Sequence, residues 1–177
     1  MSVSATTAWE SARVYPLVST LADTYAPGGA RVRSSAIRDA LAEGQVARAA
    51  KYLGRYYAVT GEVVHGAGRG GTTLGYPTAN VAAPTNLAVP GNGIYATWAY
   101  VDGERYQAAT SIGVRPTYGV GERAIEAFLL DYEGDLYHKA MRLEFVKRIR
   151  DEVAFESSDA LRRQIDLDVD ETRRILR

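Results

Sequence analysis

The chain has 177 residues, of which 46% are hydrophobic, and its 21 basic residues balance 21 acidic ones. The zero net charge excludes a global basic field that would attract nucleic acid or anionic lipid, and no apolar run reaches the length of a membrane span. The absence of cysteine and the presence of only two histidines exclude disulfides, thiolate chemistry and a multi-histidine metal site. Residues 1–8 lack the pattern of a signal peptide, so we expect a cytoplasmic protein.

The first predicted domain, residues 1–54, is a short helical segment. Apolar residues recur at helical spacing through residues 8–25, where Pro16 predicts a break between two short helices. Further on, Ser34 and Ser35 precede an apolar stripe and are expected to cap a third helix. A second apolar stripe follows, and the two stripes are expected to end at Gly44 and Gly54. Such stripes must be buried, so we expect this segment to pack on the rest of the chain or on a second copy.

In the second predicted domain, residues 55–177, the hydrophobic period changes to two. Asp102 and Gly103 lie between two strand-like runs and form a strong hairpin signal. Six short strands with no helix between them favour a mainly β fold, a closed antiparallel barrel. The predicted strands are 57–64, 78–83, 93–101, 105–112, 124–132 and 141–149.

Helical spacing returns after Ser157 and predicts a C-terminal helix. One face of this helix is apolar and is expected to pack on the barrel, whereas the opposite face is charged and is expected to meet water. The apolar face holds Leu161, Ile165, Val169, Thr172 and Leu176, and the charged face holds Arg162, Arg163, Asp166 and Asp170.

A glycine-rich stretch follows the first predicted strand. Glycine allows close approach of a ligand to the backbone, and successive N–H groups can form a concavity for phosphate oxygens. Thr78 and Asn80 follow and offer oxygen ligands of the kind that Mg²⁺ prefers. The alternative is an ordinary mobile hairpin loop; the stretch is neither a P-loop nor a dinucleotide fingerprint. The glycines are Gly66, Gly68, Gly70, Gly71 and Gly75.

Glu126 lies in the middle of a predicted strand, with Phe128 and Leu130 on the same face. A carboxylate among apolar neighbours is costly unless it is paired or used, so Glu126 is a candidate catalytic residue. The alternative is a charge on the outer barrel face that pairs with Arg142 or Arg123.

The string GAGRGGTTLGYPTAN at residues 66–80 resembles the signature of the riboflavin kinases, which also form the C-terminal half of bacterial bifunctional FAD synthetases. The matching region covers residues 56–176. The resemblance implies a six-stranded Greek-key barrel with a C-terminal helix. It also implies transfer of the ATP γ-phosphate to the 5′-hydroxyl of riboflavin, which gives FMN and ADP with the help of Mg²⁺.

The same resemblance implies roles for individual residues. Glu126, in the run IEAFLLD, matches the family's catalytic base. Thr78 and Asn80 would hold Mg²⁺ and ATP oxygens. The glycine loop would cover the ATP phosphates through Gly66, Gly68, Arg69, Gly70 and Gly71.

On the flavin side, the resemblance implies binding by Arg150, Glu152 and Phe155. The alternative for Arg150 and Glu152 is an ordinary surface ion pair. Arg115 stands where other members carry Asn, and we expect it to brace its loop. His138 stands where the family commonly has Gly.

The N-terminal segment is similar to the tail of the adenylyltransferase module of FAD synthetases, where a motif like that of Ser34, Ser35 and Arg38 helps to hold ATP. The remainder of that module is missing from the sequence, so we expect the two serines to be helix caps. A riboflavin kinase is therefore the predicted function. The alternatives are a non-catalytic flavin- or nucleotide-binding regulatory module and part of a bifunctional FAD synthetase.

Overall fold

The computed structural model describes residues 32–66, 75–114 and 123–177 of the chain. This part is mainly β: two helices are followed by six consecutive strands and a third helix. The two helices predicted within residues 8–25 lie outside the described residues. The elements are α1 (Ser34–Ala42), α2 (Val46–Leu53), β1 (Tyr57–Val64), β2 (Ala79–Ala82), β3 (Gly93–Val101), β4 (Glu104–Val114), β5 (Arg123–Leu129), β6 (Ala140–Arg150) and α3 (Ser158–Ile175).

The six strands close into an antiparallel barrel in the order β1-β2-β5-β4-β3-β6. The strand β2 pairs with β5 rather than with β3, and β6 closes the barrel between β3 and β1. The predicted hairpin joins β3 to β4, with Asp102 at φ 52° and Gly103 at φ 85°. Both residues therefore adopt the left-handed backbone that a two-residue hairpin turn requires. The predicted barrel is confirmed.

Inward-facing side chains fill the barrel, because every second residue of each strand points inside. Tyr95 and Phe145 are fully buried and meet edge to face at 5.4 Å. The buried hydroxyls of Thr97 and Thr110 lie 2.7 Å apart, so these polar groups satisfy each other. Other buried side chains of the strands include Val59, Val63, Ile112, Met141 and Leu143. A ligand-binding surface must therefore use the outward-facing positions or the loops.

Both N-terminal helices pack on the barrel, which is the first of the two arrangements expected for them. Leu41 is 2% exposed and belongs to the same hydrophobic cluster as the barrel interior. The backbone N–H of Gly91 donates to the carbonyl of Leu41 at 2.7 Å. A Cβ at Gly91 would lie 2.4 Å from the carbonyl oxygen of Ala42, so only glycine permits this contact.

The ends of three elements test the predicted boundaries. The N-cap of α1 is Arg33 and no side chain caps the helix, so the prediction that Ser34 and Ser35 are caps is wrong. Both serines instead lie in the first turn. The expected stop of α2 is confirmed, since Gly54 takes the left-handed conformation at φ 68°. The strand β5 ends before residue 132, because the chain turns at Asp131 with φ 59°.

The C-terminal helix α3 begins as predicted, with the hydroxyl of Ser157 accepting a hydrogen bond from the N–H of Ala160 at 3.2 Å. Thr172 and Leu176 of its apolar face are buried. The predicted charged face is exposed, and the sequence reasoning missed one acid that lies on the buried side, Asp168, which is 4% exposed.

Candidate active site

A row of side chains crosses the outside of the barrel on four adjacent strands. Asn80 of β2 is the direct cross-strand partner of Glu126 of β5. Asn80 also opposes Val64 of β1, and Glu126 also opposes Ser111 of β4. Opposed residues share a face and their Cβ atoms lie about 4.5–5.5 Å apart. The structure thus places the candidate catalytic carboxylate beside the candidate metal ligand.

Asn80 also contacts the beginning of the glycine-rich stretch. A Cβ at Gly66 would lie 2.3 Å from the amide nitrogen of Asn80 and 2.9 Å from its Cγ. Glycine at position 66 therefore allows the carboxamide to lie directly against the backbone. The other loop residues predicted to bind ATP lie outside the described residues; they are Gly68, Arg69, Gly70 and Gly71.

Thr78 comes just before β2 and is partly buried. It stands two residues before Asn80, and period-2 alternation puts both side chains on the outward face. One hydroxyl and one amide oxygen are hard donors, which fit Mg²⁺ that also binds waters and substrate phosphates. Among the described residues no group of three or more His, Cys, Asp or Glu could hold a metal.

The two arginines considered as partners of Glu126 have other partners in the structure. Arg142 donates to Glu144 at 2.5 Å. Arg123 donates to the side-chain oxygen of Asn92 at 3.0 Å and to backbone carbonyls of the same loop. Glu126 itself is partly buried. Both arginines thus have contacts of their own with residues other than Glu126.

A small, open depression of about 130 Å³ adjoins the row between β1, β2 and β5. The residues that line it are Val64, Asn80, Val81, Ala82, Arg123, Ala124 and Ile125.

Tyr76 connects this surface to α3. Its ring meets the ring of Phe128 edge to face at 5.1 Å, and Phe128 lies two residues after Glu126 on the same face of β5. The hydroxyl of Tyr76 donates to the carboxylate of Asp166 in α3. This hydrogen bond raises the pKa of Tyr76 above its ordinary value. The helix α3 therefore forms one side of the site.

Glu152 lies on the same outward surface as Glu126. A Cβ at Gly113 of β4 would lie 2.1 Å from a carboxylate oxygen of Glu152, so the carboxylate contacts the backbone there. Gly113 is two residues from Ser111, the cross-strand partner of Glu126. The structure thus brings a residue predicted for the flavin side next to the strand that adjoins the candidate base.

Arg150 forms an ion pair with the buried Asp168 of α3. Its Nε donates to one carboxylate oxygen at 2.9 Å and a terminal nitrogen donates to the other at 2.7 Å. The guanidinium also lies 5.7 Å from the ring centre of Phe155. The partner of Arg150 is therefore Asp168 rather than Glu152.

The sequence contained a signal for Asp168 that the prediction did not use. Position 168 falls three residues after Ile165 and four before Thr172, in the middle of the apolar face of α3. An acid at such a place needs a cationic partner.

The described residues form a closed antiparallel barrel with a row of polar side chains on its outside and a C-terminal helix. The family model described as Flavokinase, riboflavin kinase, matches residues 53–176. The chain belongs to the riboflavin kinase family, and the resemblance found in the sequence is confirmed.

Relatives with curated names support this membership. The bifunctional riboflavin kinase/FMN adenylyltransferase of Bacillus subtilis is 40% identical over 144 residues, which cover 80% of this chain and 45% of that protein. The protein of the same name from Escherichia coli K12 is 39% identical over 147 residues, 82% of this chain and 46% of that protein. The chain thus spans less than half the length of these two relatives.

Two solved structures share the fold. A structure described as a macrolide-efflux protein from Streptococcus pneumoniae matches with a TM-score of 0.78 and 33% identity, over 85% of this chain and 49% of that one. Riboflavin kinase from Trypanosoma brucei matches with a TM-score of 0.51 and 26% identity, over 67% of this chain and 76% of that one. No helix among the described residues is long and apolar enough to cross a membrane.

Proposed function

We propose that the chain is a riboflavin kinase that transfers the γ-phosphate of ATP to the 5′-hydroxyl of riboflavin and releases FMN and ADP. The observation that carries the proposal is the direct cross-strand pairing of Asn80 with Glu126. This pairing supports the proposal because it brings a proposed ligand of metal and phosphate beside a carboxylate, within the segment that matches the family.

In this reaction Glu126 accepts the proton of the ribityl 5′-hydroxyl as the oxygen attacks the γ-phosphorus. A new O–P bond forms to the ribityl oxygen, the bond from the γ-phosphorus to the bridging oxygen breaks, and ADP leaves with that oxygen. Catalysis of phosphoryl transfer rests on positioning and on neutralising charge, so the position of the carboxylate relative to the phosphate site is decisive.

Thr78 and Asn80 are proposed to hold Mg²⁺ together with the phosphates of ATP. When bound, the metal neutralises negative charge on the phosphates. The glycine loop, with Gly66 against the carboxamide of Asn80, is proposed to offer backbone N–H groups to the same phosphates.

For the flavin, Glu152 and Phe155 are proposed as the contacts of the isoalloxazine ring. Arg150 is proposed to act beside them, with its guanidinium held between Asp168 and the ring of Phe155. A planar heterocycle suits a wall of apolar and aromatic groups with a few polar anchors. The proposal includes ATP and riboflavin as the small-molecule partners in the cytoplasm, no nucleic acid or membrane partner, and self-association through the N-terminal helices.

The decisive experiment incubates the protein with riboflavin, ATP and Mg²⁺ and separates the products by chromatography. We expect FMN and no FAD. Absence of any product, with flavin still bound, would replace the kinase by a binding module. Formation of FAD would assign to this chain the second activity that the names of the two bacterial relatives include.

A further inference from the structure

The helix α3 contacts both proposed substrate sides through two acids that are two residues apart. Asp166 accepts the hydroxyl of Tyr76, which belongs to the segment that leads into Thr78 and Asn80. The carboxylate of Asp168 accepts a hydrogen bond from the guanidinium of Arg150, at the end of β6. The nucleotide side and the flavin side are therefore attached to a single turn of one helix.

Tyr76 is held in place by two contacts of different kinds. Its ring lies on Phe128, whose neighbour on the same face is Glu126, and its hydroxyl reaches α3. Since Tyr76 stands two residues before Thr78, a displacement of the hydroxyl would be passed directly to the proposed metal ligand. No other described contact in this segment reaches α3 by a side-chain hydrogen bond.

The ion pair between Asp168 and Arg150 connects α3 to the flavin side. Asp168 is buried, and its carboxylate also accepts a hydrogen bond from the side-chain amide of Gln164 at 3.0 Å. The orientation of the carboxylate is therefore fixed. Arg150 begins the short segment that carries Glu152 and Phe155. At the other end of the helix, Arg173 binds Asp131 through two bonds of 2.7 Å. The helix is thus fixed at its C-terminal end, and its middle joins the two sides.

We propose that Tyr76 is a positioning residue which, through Asp166 and α3, couples the binding of the nucleotide to the binding of the flavin. The proposal rests on the proposed function, because it takes ATP and riboflavin as the two ligands. Nucleotide bound beside Thr78 restrains the position of Tyr76. Tyr76 in turn restrains α3 through its hydrogen bond to Asp166, and α3 holds the segment with Glu152 in its flavin-binding position. Coupling of this kind is reciprocal and commonly changes affinity by about 5–150-fold.

The test measures riboflavin affinity by quenching of flavin fluorescence, with and without a non-hydrolysable ATP analogue and Mg²⁺. In the unaltered protein we expect the analogue to tighten riboflavin binding by about fivefold or more. In Tyr76→Phe, the ratio of the riboflavin affinities measured with and without the analogue should fall to near one. The affinity for riboflavin alone should change less than twofold. Asp166→Ala should have the same effect, and the double variant should lose no more than either single one.

The matched control is Tyr132→Phe, which removes a hydroxyl that donates to the carbonyl of Asp135 at 3.2 Å and has no described contact with α3. This variant should keep the full ratio, and thermal unfolding should verify that all the variants fold. If Tyr76→Phe folds, binds both ligands and keeps the full ratio, the coupling role is overturned while the kinase assignment stands. If the unaltered protein binds no flavin, the proposed function fails and this inference fails with it.

Discussion

The carboxamide of Asn80 lies directly against Gly66, and a Cβ at residue 66 would come within 2.3 Å of its nitrogen. The first glycine and the last residue of the glycine-rich motif are thus in contact. What a side chain would displace here is the movable end of Asn80, not the backbone of the barrel.

We therefore expect Gly66→Ala to fold normally and to bind MgATP at least tenfold more weakly, because the displaced carboxamide no longer meets the metal and phosphate. The contrast is Gly61→Ala, where the new Cβ would lie 2.2 Å from the backbone carbonyl oxygen of Ala82 and disturb the pairing of β1 with β2. That variant should lower the melting temperature. Calorimetric titration and thermal unfolding of both variants check the prediction, and equal ATP affinity in Gly66→Ala would refute it.

Removal of the proposed base should slow turnover without abolishing binding. We expect Glu126→Gln to reduce kcat by about 10²–10⁴-fold, the usual contribution of general-base catalysis, and to change the affinity for riboflavin little. Glu104→Gln, an exposed carboxylate at the start of β4, is the control and should retain full activity. Near-normal turnover in Glu126→Gln would leave this residue a surface charge.

The metal ligand can be tested separately. Thr78→Ala should remove one hard oxygen donor, so that ATP binding needs a higher Mg²⁺ concentration. Titration of ATP with and without Mg²⁺ measures this dependence. Thr60→Ala, an exposed threonine of β1, supplies the control. An unchanged metal dependence in Thr78→Ala would give Thr78 a purely structural role.

The N-terminal helices are predicted to add stability rather than chemistry. Leu41→Ala should lower the free energy of unfolding by about 2–5 kcal/mol, because this side chain is 2% exposed in the core, and should leave kcat unchanged. A chain that begins at Gly54 should still phosphorylate riboflavin but melt at lower temperature or aggregate. If that chain stays stable and yet cannot bind ATP, the motif of Ser34, Ser35 and Arg38 has a function in binding the nucleotide.

A dependence of stability on alkaline pH follows from Tyr57. Burial raises the pKa of Tyr57 to about 12, and its hydroxyl donates to the carbonyl of Ala88 at 2.5 Å. Because the pKa is raised on folding, the stabilisation is complete below the ordinary value of 10.0 and is lost as the pH rises from there to about 12. Denaturant unfolding at pH 8 to 12 should show a shallower decline for Tyr57→Phe. An identical decline in both proteins would contradict the burial of this phenol.

The strands could be predicted from the sequence wherever one face alternates cleanly. β1 and β3 have the predicted bounds, since Tyr57, Val59 and Val63 all point inside and a glycine begins β3. The end of β5 was missed because Leu130 continues the apolar run, and its N–H still donates to the carbonyl of Gln107 in β4, one position beyond the last strand pair at Leu129. Alternation detects a face of a sheet but not the point at which the chain turns away.

The candidate site was predicted residue by residue, but its connections were not. The motifs identified Asn80 and Glu126 as separate candidates, whereas their pairing depends on β2 lying beside β5, which no local pattern encodes. The same limit applies to Arg150, whose partner Asp168 lies on a different element. Contacts between distant residues are decided by the order of the strands and by the docking of α3.

The barrel keeps its packed residues inside and its proposed ligand contacts outside, on alternating positions of the same strands. Ala79, Ile125 and Ala127 are buried, and Asn80 and Glu126 lie between and beside them on the opposite face. Substitutions at the outward-facing residues of β2 and β5 can therefore change the bound substrate at little cost in the stability of the fold. Because core and surface positions are separate, the outward-facing residues are suitable sites for mutations aimed at a phosphotransferase with a different acceptor alcohol.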